Sequence, residues 1–377
     1  YARARMKKLL LFFALLVVIT LAAAWVRYGG GESYPHAASA PLIAGGSLDE
    51  VLHYPEPLGK VAVSRGNRLF FTVHPTSGTE GNKLLEWVDG ASEPWPDSRT
   101  QMEILDTPLG IFADTLDRLW VLDHGSHGMR NPRLLGLDIE TGKLIADVRF
   151  TRPVAPPGSL LTDVAVSPDG NTLIASDASY WRKRPALIVY DIRSGSTRRI
   201  LDGHDSVSAE RYVINSNGRS MSFLGGIFTL RTGVTGLAVD DDWVYYGAMS
   251  GSGLYRVPLA AVRDRELAAE DLAASVERYA SKPMSGGFGL DPGGYLYVTD
   301  VENNAIAIVG PDRRPRTLIQ SGTMRWPEGI AIGSDGWIYV TDSALSELMF
   351  RPAAEVAENG PYSLFRFRPN QASAGVP

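Results

Sequence analysis

The sequence contains no cysteine and only six histidines among its 377 residues. Without thiols, the chain cannot form a disulfide framework, a zinc–thiolate site, a thiol nucleophile or a lipid-modified N-terminal cysteine. A basic excess is also missing. The formal net charge is −5, and setting aside the five cationic side chains of residues 1–27 leaves −10 on the rest. A nucleic-acid-binding surface is therefore disfavoured, because neutralising phosphates needs clustered lysine and arginine.

Long hydrophobic runs are absent except at the N-terminus. There, four basic residues precede an uncharged run from Leu9 to Val26, and Arg27 closes it. As a helix this run would span about 27 Å, enough for a thin bilayer. Two alternatives stay open for residues 1–28: an uncleaved membrane anchor, or a signal peptide with Ala22–Ala24 at its cleavage site. Both place the positive end in the cytoplasm and export the body, which we expect to be periplasmic or secreted.

Composition also divides the remaining chain. Residues 29–46 are rich in glycine, alanine, serine and proline, which is typical of a flexible linker. We expect residues 47–370 to form the main domain and residues 371–377 to form a tail.

One pattern occurs six times in the main domain: a short apolar strand, a turn with aspartate or glycine, and a second strand that often ends in aspartate. The copies are Gly59–Val73, Leu109–Asp123, Leu161–Asp177, Thr235–Ala248, Gly286–Asp300 and Pro327–Asp342. The turns contain residues that tolerate positive φ, and the flanking runs are β-branched or aromatic, so each copy predicts a β-hairpin.

Several copies continue into a third strand, such as Ala186–Asp191, and a fourth often follows a turn. Four antiparallel strands repeated around an axis form a propeller blade. We therefore predict an all-β fold, a six-bladed β-propeller preceded by the N-terminal helix. Tyr362–Phe367 should share a blade with the segment near Ser47–His53. The long connection Asp202–Thr232 predicts a flap or mobile segment, and Arg263–Ala280 predicts a surface helix.

Four segments resemble the major royal jelly protein/Yellow family in its bacterial form, whose members are often described as related to dopachrome tautomerase. They are Asp117–Gly125, Leu187–Gly195, Gly233–Leu259 and Gly294–Ile306. The resemblance implies a six-bladed propeller, export and, in some members, an axial pocket that binds small aromatic amines. It does not imply one reaction.

A weaker resemblance, through Trp326–Gly329, is to gluconolactonase-type propellers. Those enzymes hold a divalent metal on the axis with ligands that begin the innermost strands. The equivalent positions here are Gly59, Gly286 and Glu328, so two of the three expected ligands would be missing. We therefore predict no cofactor and no metal ligands, with calcium as a lesser alternative.

The innermost strands of a propeller begin beside its axis. Of the twelve residues that the six copies place there, only Lys60, Asp163 and Glu328 are ionisable. We predict Asp163 and Glu328, from opposite blades, as a catalytic acid and base, because facing carboxylates raise one another's pKa. They could instead bind the ammonium group of an amine, or each could cap backbone amides of a neighbouring blade.

Residues around the same mouth are candidate ligand contacts. The predicted set is Lys60, Thr235, Met249, Tyr180, Glu302, Asn303 and Ser343. The aspartates that end the second strands, Asp123, Asp177, Asp300 and Asp342, occupy equivalent places, which favours a structural role. His124 and His127 lie three apart in a loop, which could be half of a metal site, but no third ligand is identifiable.

Two functions remain open from the sequence. The first is an exported propeller that binds a small aromatic or cationic metabolite in its axial pocket. The alternative is an enzyme, either a lactonase-like hydrolase or a dopachrome-tautomerase-like isomerase, that uses Asp163 and Glu328. A scaffold for a membrane complex rests on the anchor alone. The expected partner is a small molecule, and the membrane is contacted only through the N-terminal segment.

Overall fold

The computed structural model describes residues 2–36, 38–78, 81–130 and 132–369. They contain six four-stranded antiparallel sheets, whose innermost strands contact one another in a closed ring. From the axis outward, the strands of blade 1 are Leu58–Val63, Leu69–Val73, Leu84–Val88 and Ala91–Pro94. Those of blade 2 are Pro108–Ala113, Arg118–Asp123, Arg133–Asp138 and Leu144–Arg149. Those of blade 3 are Leu161–Val166, Thr172–Asp177, Ala186–Asp191 and Ser196–Ile200. The strands of blade 4 are Val234–Val239, Trp243–Ala248, Gly253–Pro258 and Glu277–Ser281. Those of blade 5 are Phe288–Leu290, Leu296–Asp300, Ala305–Val309 and Pro315–Gln320. Those of blade 6 are Pro327–Ile332, Ile338–Asp342, Tyr362–Phe367 and Asp49–Tyr54. The predicted six-bladed propeller is confirmed.

Blade 6 joins the two ends of the propeller. Its outermost strand, Asp49–Tyr54, pairs antiparallel with Tyr362–Phe367, with Asp49 opposite Arg366 and Tyr54 opposite Tyr362. This is the closure that the sequence predicted, and it gives the ring no free edge between its first and last blades.

The core lies between neighbouring blades. Side chains alternate across a strand, so consecutive residues pack on opposite sides of their sheet. In blade 1, Phe70 packs with Leu119 and Leu137 of blade 2, whereas Phe71 packs with Tyr339 of blade 6. Both phenylalanines are fully buried. Burying a side chain of this size contributes about 1.5–3 kcal/mol.

The innermost strands all run from one face of the ring, called the upper face below, to the opposite lower face. The loop between blades 3 and 4 covers part of the upper face. It contains the one-turn helix Asp205–Val207 and two short hairpins, Asn215–Ser216 with Arg219–Ser220 and Ser222–Phe223 with Phe228–Thr229. The remaining short helices are Gly45–Ser47, Pro75–Ser77, Thr100–Ile104, Gly125–Gly128, Leu259–Arg263, Ala269–Ala274, Leu345–Leu348 and Ala353–Glu358. The surface helix predicted over Arg263–Ala280 is confined to Ala269–Ala274, because the end of that segment belongs to the outermost strand of blade 4, Glu277–Ser281.

The N-terminal helix spans Ala2–Tyr28. Its part from Arg5 to Tyr28 is long and apolar enough to cross a membrane, and the most apolar stretch of that part is not buried against the propeller, which is compatible with a signal or an anchor.

Residues 29–46 were expected to form a flexible linker, but the described residues 29–36 and 38–46 include segments that are held on the propeller surface. Glu32–Ser33 pairs in parallel with Tyr212–Val213, and the amide of Ile43 donates to the carbonyl of Leu318. The predicted tail, 371–377, lies outside the described residues.

Candidate functional site

Three charged side chains meet on the propeller axis. Lys60, Asp163 and Glu328 come from the innermost strands of blades 1, 3 and 6, and all three are buried. Lys60 Nζ lies 3.7 Å from Asp163 Oδ2 and 3.8 Å from Glu328 Oε1. We call these residues the axial triad. The two carboxylates predicted to face each other across an open pocket are therefore bridged by an ammonium group.

The Lys60 ammonium is surrounded by oxygen atoms. Besides the two carboxylates, Nζ donates to the carbonyl oxygens of Gly286 at 2.6 Å and Glu328 at 3.1 Å. Gly287 leaves room for this approach, because a Cβ there would lie 3.0 Å from Nζ and 2.6 Å from the Glu328 carbonyl oxygen. Calcium takes six to eight oxygen ligands at 2.3–2.6 Å. The chain thus places its own cation where an axial metal would need these oxygens, so the triad does not fit a divalent ion.

Asp163 is held by its own strand and by the next blade. Its carboxylate accepts the amide of Val164 at 3.0 Å and also interacts with the backbone amide of Leu237 in blade 4. Burial raises the pKa of Asp163 to about 6, although Lys60 acts to lower it. The contact with blade 4 agrees with the alternative that this carboxylate caps a neighbouring blade.

Glu328 is oriented by two donors. Its Oε2 accepts a hydrogen bond from Trp326 Nε1 at 3.1 Å and another from Ser343 Oγ at 3.4 Å. Both donors are fully buried. The Glu328 carboxylate is therefore fixed between Lys60 on one side and these two donors on the other.

The triad divides the axial space into two parts. A lower channel of about 180 Å³ is lined by Lys60, Asp163 and apolar residues from all six blades. An upper cavity of about 430 Å³ lies toward the upper face, and Glu328 lines it. Its apolar lining includes Leu109, Leu160, Trp181, Leu230, Met249 and Phe350. Asp163 and Glu328 therefore line different spaces.

Two histidines in the wall of the upper cavity occupy equivalent places in the repeat. His74 and His124 each directly follow the second strand of their blade. The Nδ1 atom of His74 accepts the amide of Thr76 at 3.2 Å, and Nδ1 of His124 accepts the amide of His127 at 3.0 Å. A neutral imidazole has one accepting nitrogen, so the proton of each ring is on Nε2. Burial lowers the pKa of His74, and it lowers the pKa of His124 to about 3, so both rings are neutral at pH 7.

These bonds change the interpretation of the His124–His127 pair. A histidine that ligates a metal offers a lone pair, yet the lone pair of His124 is already used by the amide of His127. Among the described residues, no group of three or more histidine, aspartate or glutamate side chains is arranged to hold a metal ion. The spacing of three residues instead reflects a local cap on the short helix Gly125–Gly128. What His74 and His124 offer the cavity is an N–H donor each.

Other polar groups in the cavity wall have no partner. Within the described parts of the chain, Thr232 Oγ1 and His127 Nδ1 are buried without any hydrogen bond. Thr162, in the same wall, is bonded to Ser176 Oγ at 2.8 Å. Leaving a buried polar group unpaired costs about 1–3 kcal/mol. The wall of the cavity therefore contains two hydrogen-bonding groups that the protein itself leaves unsatisfied.

The predicted ligand contacts fall into three groups. Thr235, Met249 and Tyr180 line the upper cavity. Lys60 and Ser343 instead contact the carboxylate of Glu328, one at each oxygen.

Glu302 and Asn303 do not line the upper cavity. Glu302 accepts the amide of Asn215 beneath the loop between blades 3 and 4, and burial raises its pKa to about 7. Asn303 donates to Asp300.

The four aspartates that end second strands bind backbone amides of nearby loops. Asp123 accepts the amides of Asp106 and Thr107, and Asp342 accepts those of Trp326 and Ala344. Asp177 and Asp300 accept loop amides in the same manner. These contacts agree with the structural role predicted from their repetition.

The comparisons with known proteins point to one family and one fold. A family model described as major royal jelly protein matches residues 107–348. Major royal jelly protein 3 of Apis mellifera is 23% identical over 290 residues, which are 71% of this chain and 50% of that protein. Major royal jelly protein 2 of the same species is 24% identical, over 74% of this chain and 62% of that protein. The chain thus spans about half to three fifths of the length of these relatives.

Two solved propellers are similar in shape. A gluconolactonase from Xanthomonas campestris superposes with a TM-score of 0.54 at 13% identity, over 90% of this chain and 97% of that one. A calcium-binding protein, regucalcin, from Agrobacterium tumefaciens gives 0.55 at 12% identity, over 87% and 95%. At such identities the likeness concerns the fold alone.

Proposed function

The chain belongs to the major royal jelly protein family, and on that basis we propose that its propeller binds a small molecule with an aromatic body and a cationic group in the upper cavity. The observation that carries the proposal is the set of unpartnered polar groups in a wall whose surface is mostly apolar, above a floor that includes Glu328.

The floor favours a cation. At pH 7, above the pKa of about 6 of Asp163, the triad has one formal positive and two negative charges. Its net charge of −1 is next to the cavity through Glu328, in a buried setting where charges interact more strongly than in water. An ammonium group near Glu328 would offset that charge.

The walls of the upper cavity favour a ligand that has a flat apolar body and an oxygen atom. Trp181, Leu230 and Phe350 provide apolar contacts. The rings of Trp181 and Phe350 can stack on an aromatic ligand or pack edge to face with it. The Nε2–H groups of His74 and His124 can donate to a hydroxyl or carbonyl oxygen. Apolar pockets with a few placed polar groups are typical of small-molecule sites.

A hydrolase or isomerase that uses Asp163 with Glu328 has less support. Lys60 lies between the two carboxylates, and Asp163 lines the lower channel rather than the cavity that Glu328 lines. A shared substrate would have to contact both sides of the triad.

A thermal-shift comparison tests the proposal with three probes: tyramine, 4-methylphenol and gluconolactone. We expect tyramine to raise the melting temperature most, because it combines a ring, a hydroxyl and an ammonium group. A ligand at a hundredfold excess over its Kd stabilises the folded state by about 2.7 kcal/mol. Glu328→Gln should remove the advantage of tyramine over 4-methylphenol, whereas the exposed Glu140→Gln should keep it.

The opposite pattern would favour the enzyme. If gluconolactone is hydrolysed by the wild type but not by Glu328→Gln, while tyramine leaves the melting temperature unchanged, the binding proposal fails.

A further inference from the structure

The last turn of the N-terminal helix packs beside the mouth of the upper cavity. The Tyr28 ring lies 6.0 Å from that of Tyr180 and 5.7 Å from that of Phe228, and its hydroxyl donates to the carbonyl of Trp181 at 2.9 Å. Arg27 donates to the carbonyl of Arg182 at 2.8 Å. Since Tyr180 and Trp181 also line the cavity, the helix ends at the edge of its mouth.

The same turn has the residue types found at a membrane surface. Trp25, Arg27 and Tyr28 lie at the C-terminal end of the helix, and tryptophan, tyrosine and basic residues concentrate where a spanning helix leaves the bilayer. If the apolar part crosses a membrane, the interface passes through this turn. The upper face of the propeller would then lie against the lipid headgroups.

Apolar side chains project from the upper face around this point. Leu224 is 69% exposed, Phe350 is 67% exposed and Trp181 is 41% exposed. Leu224 lies in the turn of a hairpin that contacts the helix. The ring of Phe350 packs on that of Phe223 in the same hairpin, with 4.7 Å between the ring centroids. Single exposed apolar residues need no explanation, but a cluster of them around a membrane helix does.

We propose that the propeller docks with its upper face on the bilayer, so that Trp181, Leu224 and Phe350 enter the interface and the cavity opens toward the lipid. The occupant of this surface is the membrane that the N-terminal helix crosses. Docking does not depend on which molecule the cavity binds. It adds a second membrane contact to the one expected from the helix alone, and it gives a ligand dissolved in the interface a direct path to the cavity.

The absence of native cysteine allows a direct test with the full chain. Leu224→Cys and Phe350→Cys are each labelled with an environment-sensitive fluorophore and reconstituted into vesicles of phosphatidylcholine and phosphatidylglycerol. The matched control is Leu116→Cys, at a leucine that is 60% exposed in a turn at the lower face. Leu15→Cys reports whether the helix is inserted.

We expect several-fold weaker quenching by iodide at positions 224 and 350 than at 116. Lipids with a nitroxide in the acyl chain should quench positions 15, 224 and 350 but not 116. Equal iodide quenching at 116, 224 and 350 would overturn the proposal, because the propeller would then hang free of the bilayer. Failure of the lipid nitroxide to quench position 15 would also overturn it, because the helix would not be in the membrane.

Discussion

The axial triad and the upper cavity share the side chain of Glu328 but differ in how their polar groups are satisfied. In the triad, Lys60 contacts four oxygen atoms, and each carboxylate has further donors. In the cavity, Thr232 Oγ1 and His127 Nδ1 have no partner among the described residues. The triad is complete without a ligand, whereas the cavity is not. The buried charges of the triad therefore stabilise the ring, whereas the two unpartnered groups of the cavity wall are candidates for contact with a ligand.

Removing the cation of the triad should have the largest effect. Lys60→Met leaves two carboxylates buried without their shared partner, and breaking a buried pair this way costs about 3–5 kcal/mol. We expect urea unfolding to show a loss of that size. The control is Lys143→Met on the exposed surface, which should stay within about 0.5 kcal/mol of the wild type. Equal effects of the two substitutions would mean that the triad does not stabilise the ring.

Acid should weaken the fold through His124. Its pKa is about 3 in the folded state, against the ordinary histidine value of 6.5, so the unfolded chain takes up a proton as the pH falls below about 6.5 and the folded chain does not. Neutral His124 makes its full contribution to the free energy of unfolding above pH 6.5, and this contribution is lost as the pH falls toward 3. Between pH 7 and pH 5 the loss should be about 2 kcal/mol.

Asp163 acts in the opposite direction. Its folded pKa of about 6 exceeds the ordinary aspartate value of 3.8, so its contribution is full at low pH and is lost as the pH rises through 6. For this reason the contribution of His124 is isolated by comparing variants. His124→Asn should lose less stability than the wild type between pH 7 and pH 5, and the exposed His53→Asn should behave like the wild type. Parallel pH curves for His124→Asn and the wild type would contradict a neutral buried His124.

Two threonine substitutions should have the smallest effects on the free energy of unfolding, and these effects should have opposite signs. Thr232→Val removes a buried hydroxyl without a partner, so it should raise the free energy of unfolding by up to about 1 kcal/mol. Thr162→Val removes a hydroxyl bonded to Ser176 and should lower it by about 1–2 kcal/mol. Both threonines line the upper cavity, so their surroundings are matched. Changes of the same sign in chemical denaturation would contradict the difference between a buried hydroxyl with a partner and one without.

The fold could be predicted almost completely because its evidence is local and repeated. Each hairpin has its own strand and turn chemistry, and six copies in succession leave few architectures. The closure in blade 6 followed because a ring must join its ends. The path of residues 29–46 could not be predicted, since glycine, serine and proline do not specify which surface a segment follows. Ile43, one of the few apolar residues there, is buried at blade 5.

The site could be predicted only in part. Aligning the repeats places Lys60, Asp163 and Glu328 on the axis, but the bridge between the carboxylates depends on a long side chain reaching across the ring. The equivalence of His74 and His124 was visible in the same alignment, since each directly follows a second strand. Thr232 had no such indication, because it lies in the loop between blades 3 and 4 and a missing partner exists only in three dimensions.

Calorimetric titration of tyramine into the wild type, Thr232→Val and Thr162→Val tests the ligand site most directly. If the ligand bonds the unpartnered hydroxyl of Thr232, Thr232→Val should weaken binding about tenfold, or about 1.4 kcal/mol. The unliganded fold of this variant should nevertheless be no less stable than the wild type. Thr162→Val should keep the wild-type affinity despite its lower stability. Unchanged affinity in Thr232→Val, or a loss that follows stability in both variants, would contradict the assignment of the upper cavity as the binding site.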